Sequence, residues 1–177
     1  MINSNPVKKV SLILVIILSV NGLIFSQKVP EFKLTKDGMK PIIVNFDTNY
    51  TANVIYTKIK DWIAANNRYP ESVTRVDKEN SQIKFSCFKK DAWKIRDNNY
   101  DYWNQMKYTF NVDIKDYKCR ITFGTEEDRY KFWYNTDGSL KDRFKESEKS
   151  FENTVNETLA SLYKYMVTPQ KPKTDEW

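Results

Sequence analysis

Hydrophobic and polar residues alternate most regularly from Met106 to Phe123, in the segment MKYTFNVDIKDYKCRITF. The even-numbered residues from 108 to 114 are apolar, and the odd-numbered residues between them are polar. After Asp116 and Tyr117 the alternation resumes, with apolar side chains at 119, 121 and 123. This period of two predicts two antiparallel strands joined by a turn, with one apolar and one polar face.

The position of the turn also predicts the register of this hairpin. The expected pairs on the apolar side are Ile114 with Cys119, Val112 with Ile121, and Phe110 with Phe123. On the polar side Asp113 then stands opposite Arg120. A slip of one residue would turn the whole apolar set toward water, so the pattern specifies this register strongly.

Helical spacing of apolar residues appears in two other segments. Residues 51–67 form the first predicted helix, which Thr51 caps and Asn66 and Asn67 end. Residues 147–167 form the second, and its apolar stripe is Phe151, Val155, Leu159, Leu162 and Met166. Three further strands are predicted at 39–46, 72–76 and 82–88.

The predicted element order is therefore β-α-β-β-β-β-α, an α+β domain with a single antiparallel sheet. Two apolar helical stripes and one apolar sheet face satisfy each other when both helices pack on the same side. The polar face of the hairpin is then the uncovered one. The domain is expected at 39–167, after an extended lead at 27–38 and before a disordered tail at 168–177.

The first 26 residues have the pattern of a signal peptide. Lys8 and Lys9 precede an apolar run from Val10 to Leu18, and Ser26 offers a small residue for cleavage. An uncleaved anchor is the alternative, but polar residues at 19 and 21 and a glycine at 22 interrupt the run before the ~20 apolar residues that a span needs. We therefore expect an exported mature chain without a membrane span, located in the periplasm, on the cell surface or outside the cell.

Two segments resemble a family of exported bacterial domains of unknown function with a TATA-binding-protein-like fold. They are VIYTKIKDWIAANN, with Tyr56 and Trp62, and VDIKDYKCRITF, with its charged residues at 115, 116, 118 and 120. The resemblance covers roughly 39–167 and implies one half of that fold and an exported location, but no chemistry. The family tends to place glycine after the turn aspartate, whereas this chain has Tyr117. A looser loop at 115–118 is therefore expected, because a two-residue turn would force Tyr117 to a positive φ.

The composition excludes several kinds of catalytic and metal site. The chain has no histidine, which removes Ser-His and Cys-His pairs and histidine metal sites. Cys87 and Cys119 lie on strands two positions apart, roughly 9 to 10 Å, which is too far for a disulfide. Residues 97–101 resemble the start of a calcium loop but lack its later glycine and glutamate. We expect no cofactor, no metal and no catalytic residues.

Charge offers little support for nucleic-acid binding. Of 29 Lys and Arg residues, two lie in 1–26, so the mature chain has 27 against 23 acids, a net charge of +4 spread along the sequence. The DNA-binding relatives of the implied fold use two halves that form a continuous saddle, and this chain has one. Nucleic acid is therefore not an expected partner.

Aromatic residues in two predicted loops, 89–103 and 127–144, favour a non-enzymatic binding domain for an unknown protein, peptide or glycan, with these loops and the open face of the sheet as the candidate surfaces. An alternative interpretation of Tyr130, Phe132 and Tyr134 is a short strand that seals the core. A carboxylate-dependent hydrolase using Glu126 or Asp128 and a structural module of a cell-surface assembly are the other hypotheses. The candidate binding residues are Trp93, Tyr100, Tyr102, Trp103, Asn111, Asp113, Arg120 and Trp133.

Overall fold

The computed structural model describes residues 28–97, 100–126 and 128–169. The predicted signal peptide at 1–26 and residues 170–177 of the predicted tail lie outside the described residues. No helix in the described part of the chain combines the length and apolar character needed to cross a membrane.

Seven strands and three helices form the domain in the described residues. The strands are β1 Leu34–Thr35, β2 Gly38–Met39, β3 Ile42–Asn45, β4 Thr74–Lys78, β5 Gln82–Asp97, β6 Tyr100–Lys115 and β7 Lys118–Thr125. The helices are α1 Ala52–Asn66, α2 Pro70–Val73 and α3 Lys145–Val167, and short 3-10 helices span Arg129–Trp133 and Asp142–Phe144. The predicted α+β class is confirmed.

The main sheet has five strands in the order β3-β7-β6-β5-β4, and every neighbouring pair is antiparallel. A separate two-stranded sheet, β1-β2, precedes it, so the expectation of a single sheet is wrong in this detail. The predicted hairpin register is confirmed at every pair, including Asp113 with Arg120. Its apolar face supplies the centre of the core, where Phe110, Val112 and Ile121 are completely buried.

The tip of this hairpin is tighter than the sequence suggested. It is a two-residue turn, with Lys115 paired to Lys118 and Tyr117 at φ +65°. The expected looser loop is therefore wrong. Hydrogen bonds to the segment between β3 and α1 hold the strained residue in place: Tyr117 donates its amide to the Tyr50 carbonyl at 2.8 Å, and Phe46 donates its amide to the Tyr117 carbonyl at 2.8 Å.

Both long helices lie on the apolar face of the main sheet, as predicted. The Trp62 ring of α1 lies 5.6 Å from Phe85, and the Phe151 ring of α3 lies 5.8 Å from Phe123. The helices also contact each other, since the Trp62 indole donates to Ser161 Oγ at 3.1 Å. The opposite face of the sheet is left without a covering layer in the described residues.

The extended lead packs into the core along α3. Phe32 is buried and stacks on Phe110 at 5.9 Å. The Phe32 amide donates to Asn156 Oδ1 at 2.7 Å, and the Leu34 amide donates to Glu152 Oε1 at 2.8 Å. The core therefore begins seven residues before the expected start at residue 39.

Two predicted strands differ from the structure. Residues 70–73 form the short helix α2, so the strand expected at 72–76 begins at Thr74. Tyr130 and Phe132 lie in a 3-10 helix, and only Tyr134 makes an isolated bridge, with Leu140. The apparent alternation there reflects a helical turn that buries Tyr130 and Trp133 and leaves Phe132 exposed.

Candidate functional site

Strands β5 and β6 continue beyond the strands that flank them and form a two-stranded ribbon. We use the name ribbon for the paired residues 93–97 and 100–104. Among the described residues, β4 pairs with β5 only as far as Phe85, and β7 pairs with β6 only as far as Tyr108. The loop predicted at 89–103 is therefore wrong, because most of it is paired strand.

The sequence did contain a signal for this ribbon. Trp93 and Ile95 alternate with Lys94 and Arg96, and the Asp-Asn-Asn run that follows is typical of a turn. The pattern is broken by a register shift between residues 89 and 93, where β5 gains two residues relative to β6. The bulge interrupts the alternation that links this segment to 82–88.

Three aromatic side chains of the ribbon are exposed. Tyr100, Tyr102 and Trp103 keep 70%, 57% and 53% of their surface accessible. Because neighbouring residues on a strand point to opposite faces, Tyr100 and Tyr102 share one face and Trp103 lies on the other. The ribbon therefore presents aromatic surface on both sides.

Trp93 and Trp133, also candidate binding residues, are core residues. Trp93 is 7% exposed and Trp133 is 2% exposed, and their rings pack 5.0 Å apart. Trp133 also contacts Phe144 and Phe151, at 5.9 and 5.6 Å. These two tryptophans are therefore buried rather than presented on an open surface, because the 3-10 helix at 129–133 folds onto α3, and both are among the residues that line the cleft described below.

The N-terminal half of α3 covers the outer edge of β5 and so supports the ribbon. Ser147 Oγ donates to the Lys94 carbonyl at 2.6 Å, and the Lys94 amide donates to Ser150 Oγ at 3.1 Å. One turn later Thr154 Oγ1 donates to the Ala92 carbonyl at 2.6 Å. These side chains take the place of a neighbouring strand, which protects an edge that would otherwise be open to pairing.

A network of charges fixes the ribbon to the same helix. Lys94 Nζ lies 3.1 Å from Asp101 and 2.7 Å from Glu146, while Arg96 lies 3.2 Å from Asp101 and 3.0 Å from Glu146. The hydrogen bond from Lys94 lowers the pKa of Asp101 and of Glu146, and the hydrogen bond to Glu146 raises the pKa of Lys94. Both carboxyl groups are thus held ionised.

The uncovered face of the main sheet brings together the other three candidate residues. Asp113 accepts hydrogen bonds from Arg120 at 2.7 and 3.0 Å, from Gln82 at 2.8 Å and from Asn111 at 3.4 Å. The bonds from Arg120 are the largest cause of the lowered pKa of Asp113. Asn111, Asp113 and Arg120 form one connected group, as the register predicted.

A cleft of about 310 Å³ lies beside the ribbon, where β7 ends and β6 continues. Its walls include Tyr130, Trp133 and Phe151, and Lys107 and Glu126 form an ion pair of 2.6 Å among its lining residues. The cleft has an aromatic floor and a charged rim. Sequence reasoning missed it because its walls come from distant parts of the chain.

The carboxylates proposed for hydrolysis are each paired with a lysine. Glu126 pairs with Lys107 at 2.6 Å, and Asp128 pairs with Lys131 on the next turn. Among the described residues, no group of three or more metal-ligating side chains occurs.

The two cysteines are free thiols, as the strand order predicted. Cys119 is buried, while Cys87 is half-buried. Burial raises the pKa of each thiol to about 12. Since the thiolate is the reactive form, neither cysteine is suited to act as a nucleophile at neutral pH.

Comparisons with known proteins agree with the resemblance found in the sequence. Residues 44–127 match the family described as "Domain of unknown function (DUF4468) with TBP-like fold". A crystal structure of a DUF4468 family protein from Bacteroides ovatus is 11% identical, with a TM-score of 0.52 over 83% of this chain and 95% of that one. A TBP-like protein from Parabacteroides distasonis is 14% identical, with a TM-score of 0.47 over 74% of this chain and 93% of that one.

No curated protein matches the chain significantly. The predicted resemblance to domains of unknown function with a TBP-like fold is confirmed. At 11% identity the Bacteroides ovatus structure supports the fold alone.

Proposed function

We propose that this TBP-like domain is an exported, non-enzymatic binding domain that recognises a protein partner through the ribbon. The observation that carries the proposal is the exposure of Tyr100, Tyr102 and Trp103 on a ribbon whose backbone is fixed to α3. Tyrosine and tryptophan dominate the binding energy of protein interfaces, because they bury large areas with few rotatable bonds.

The rigidity of the ribbon supports this proposal. A flexible loop loses conformational entropy on binding, which subtracts from the affinity, whereas a preorganised strand pair does not. The ion network among Lys94, Arg96, Asp101 and Glu146 fixes the ribbon before any partner arrives. Aromatic residues on both faces suit a partner that encloses the end of the ribbon.

Affinity capture with surface variants tests the proposal. Envelope and culture fractions of the source cells are passed over the immobilised mature protein, and the bound proteins are identified and quantified by mass spectrometry. The double variant Tyr102→Ala/Trp103→Ala should weaken binding of the specific partner at least about tenfold. The matched control is Tyr69→Ala/Phe132→Ala, which removes two exposed aromatics outside the ribbon.

A partner retained equally by both double variants would show that the ribbon is not the binding surface. Export is tested separately by peptide mapping of the protein from its source. We expect a mature N-terminus at Gln27, and a chain that retains residues 1–26 inside the cell would contradict export.

A further inference from the structure

The uncovered face of the main sheet gathers positive charge that is dispersed in the sequence. We call it the open face; it consists of the outward residues of β3, β4 and β7, of 82–88 in β5 and of 107–115 in β6, together with Glu126 directly after β7. Its basic members are Arg75, Lys78, Lys84, Lys107, Lys115, Lys118 and Arg120. Its acidic members, Asp113 and Glu126, each pair with one of these bases. The face thus carries a net charge of +5, compared with +4 for the chain without residues 1–26.

Several of these cations have no carboxylate partner in the structure. Lys84, Lys115 and Lys118 form no ion pair with any of the described residues. Lys115 and Lys118 stand directly opposite each other in the register, an arrangement of like charges that destabilises a hairpin. An anion bound between them would remove that repulsion.

The arrangement of the charges follows the strands. Five successive cross-strand rows each carry a cation on their outward side. In order along the sheet these are Lys118, Arg120, Lys84, Arg75 and Lys107. Rows lie about 6.8 Å apart along a strand, so the charged strip is about 27 Å long. A strip of this length suits an extended anionic polymer.

The residues between the cations indicate the chemistry of that polymer. The middle rows contain Thr109, Asn111 and Thr122, whose hydroxyl and amide groups can bond to hydroxyls. Single-stranded nucleic acids bind where aromatic side chains stack on their bases, and the middle rows contain none. The aromatic residues of this side lie beyond the middle rows: Phe88 is paired with Lys107 at the end of the strip, and Trp103 follows two rows further along β6, in the ribbon.

We infer that the open face binds an anionic polysaccharide, a chain of sugars carrying carboxylate or sulfate groups. The cations contact the acidic groups, and the polar side chains between them contact the hydroxyls. This site is distinct from the ribbon aromatics, and it goes beyond the protein partner proposed for them. The two sites are therefore separable by mutation.

Binding measurements with defined polymers test this inference. The mature protein is titrated by calorimetry or fluorescence anisotropy with heparin, with polygalacturonate, and with neutral dextran as a control. Lys84→Glu/Lys118→Glu reverses two unpaired charges of the open face and should weaken binding of the acidic polysaccharide about tenfold or more. Lys149→Glu/Lys164→Glu makes the same change in net charge on exposed residues of α3 and should leave binding within about twofold.

Three outcomes would overturn the inference. They are no binding of either acidic polysaccharide at low salt, equal losses of polysaccharide binding in the two charge-reversal variants, and tighter binding of a 20-residue oligothymidylate or of phosphatidylglycerol vesicles than of the acidic polysaccharides.

Tyr102→Ala/Trp103→Ala should still bind the polysaccharide, and loss of polysaccharide binding in that variant would contradict a site separate from the ribbon. Failure of the polysaccharide tests alongside intact protein capture would leave the ribbon proposal standing.

Discussion

Substitution of Phe32 by alanine tests whether the N-terminal lead is part of the folded domain. Phe32 is 1% exposed and packs against two aromatic rings of the sheet, Phe110 at 5.9 Å and Phe123 at 6.2 Å. Removal of a fully buried phenylalanine costs about 3–5 kcal/mol, through lost burial and the cavity that remains. We therefore expect the free energy of unfolding of Phe32→Ala to fall by about 3–5 kcal/mol.

Urea denaturation of the mature protein, followed by tryptophan fluorescence, measures this change. Phe32→Leu keeps most of the volume and should lose about 1–2 kcal/mol, which separates the cavity from the aromatic contacts. Val29→Ala is the matched control in the same lead, because Val29 is exposed and its loss should cost less than about 0.5 kcal/mol. A Phe32→Ala protein as stable as Val29→Ala would refute the packing of the lead into the core.

Three further predictions concern the hairpin and the thiols. Tyr117→Asn should raise the free energy of unfolding by about 0.5 kcal/mol in urea denaturation, since asparagine tolerates the positive φ better; a loss of stability would contradict the strain. Arg120 lowers the pKa of Asp113, so the ionised carboxylate stabilises the folded protein at pH values above the unfolded-state pKa of about 3.9. This stabilisation is lost as the pH falls through the folded-state pKa of Asp113. The stability gap between wild type and Asp113→Asn should thus shrink from pH 7 to pH 2.5, and a constant gap would exclude this linkage. Cys87 and Cys119 should resist iodoacetamide at pH 8 until urea unfolds the protein, because their thiols have a pKa of about 12, and rapid labelling of the folded chain would contradict their burial.

The elements with an uninterrupted period were predictable from sequence. The alternation at 106–123 specified the hairpin pairs between 110–114 and 119–123, although not the tight turn that pairs Lys115 with Lys118, and the stripe of α3 from Phe151 to Met166 is buried as expected. In both cases one wrong register would place several large apolar side chains in water, so the local pattern and the global fold agree.

The ribbon and the N-terminal lead were predicted wrongly because the alternation of apolar and polar residues in these segments is short or interrupted. The bulge between residues 89 and 93 hides the continuation of β5, and Phe32 is a lone aromatic in a segment without a period. Trp93 and Trp103 are the same residue type in one segment, yet one is core and the other surface. Trp93 pairs with Asn104 and Trp103 pairs with Lys94, so the two rings point to opposite faces of the ribbon, and the 3-10 helix at 129–133 covers only the face of Trp93.

The sequence by itself determined the α+β class, the strand pairing around Asp116 and Tyr117, and the side of the sheet that the helices cover. The tertiary structure alone decided which aromatics are exposed and where the charge collects. Seven cations on four strands look dispersed along the chain, but the pleat points them to one side and adjacent strands place them in rows. Local periodicity fixes which face a residue joins, whereas the contacts between distant segments fix what covers that face.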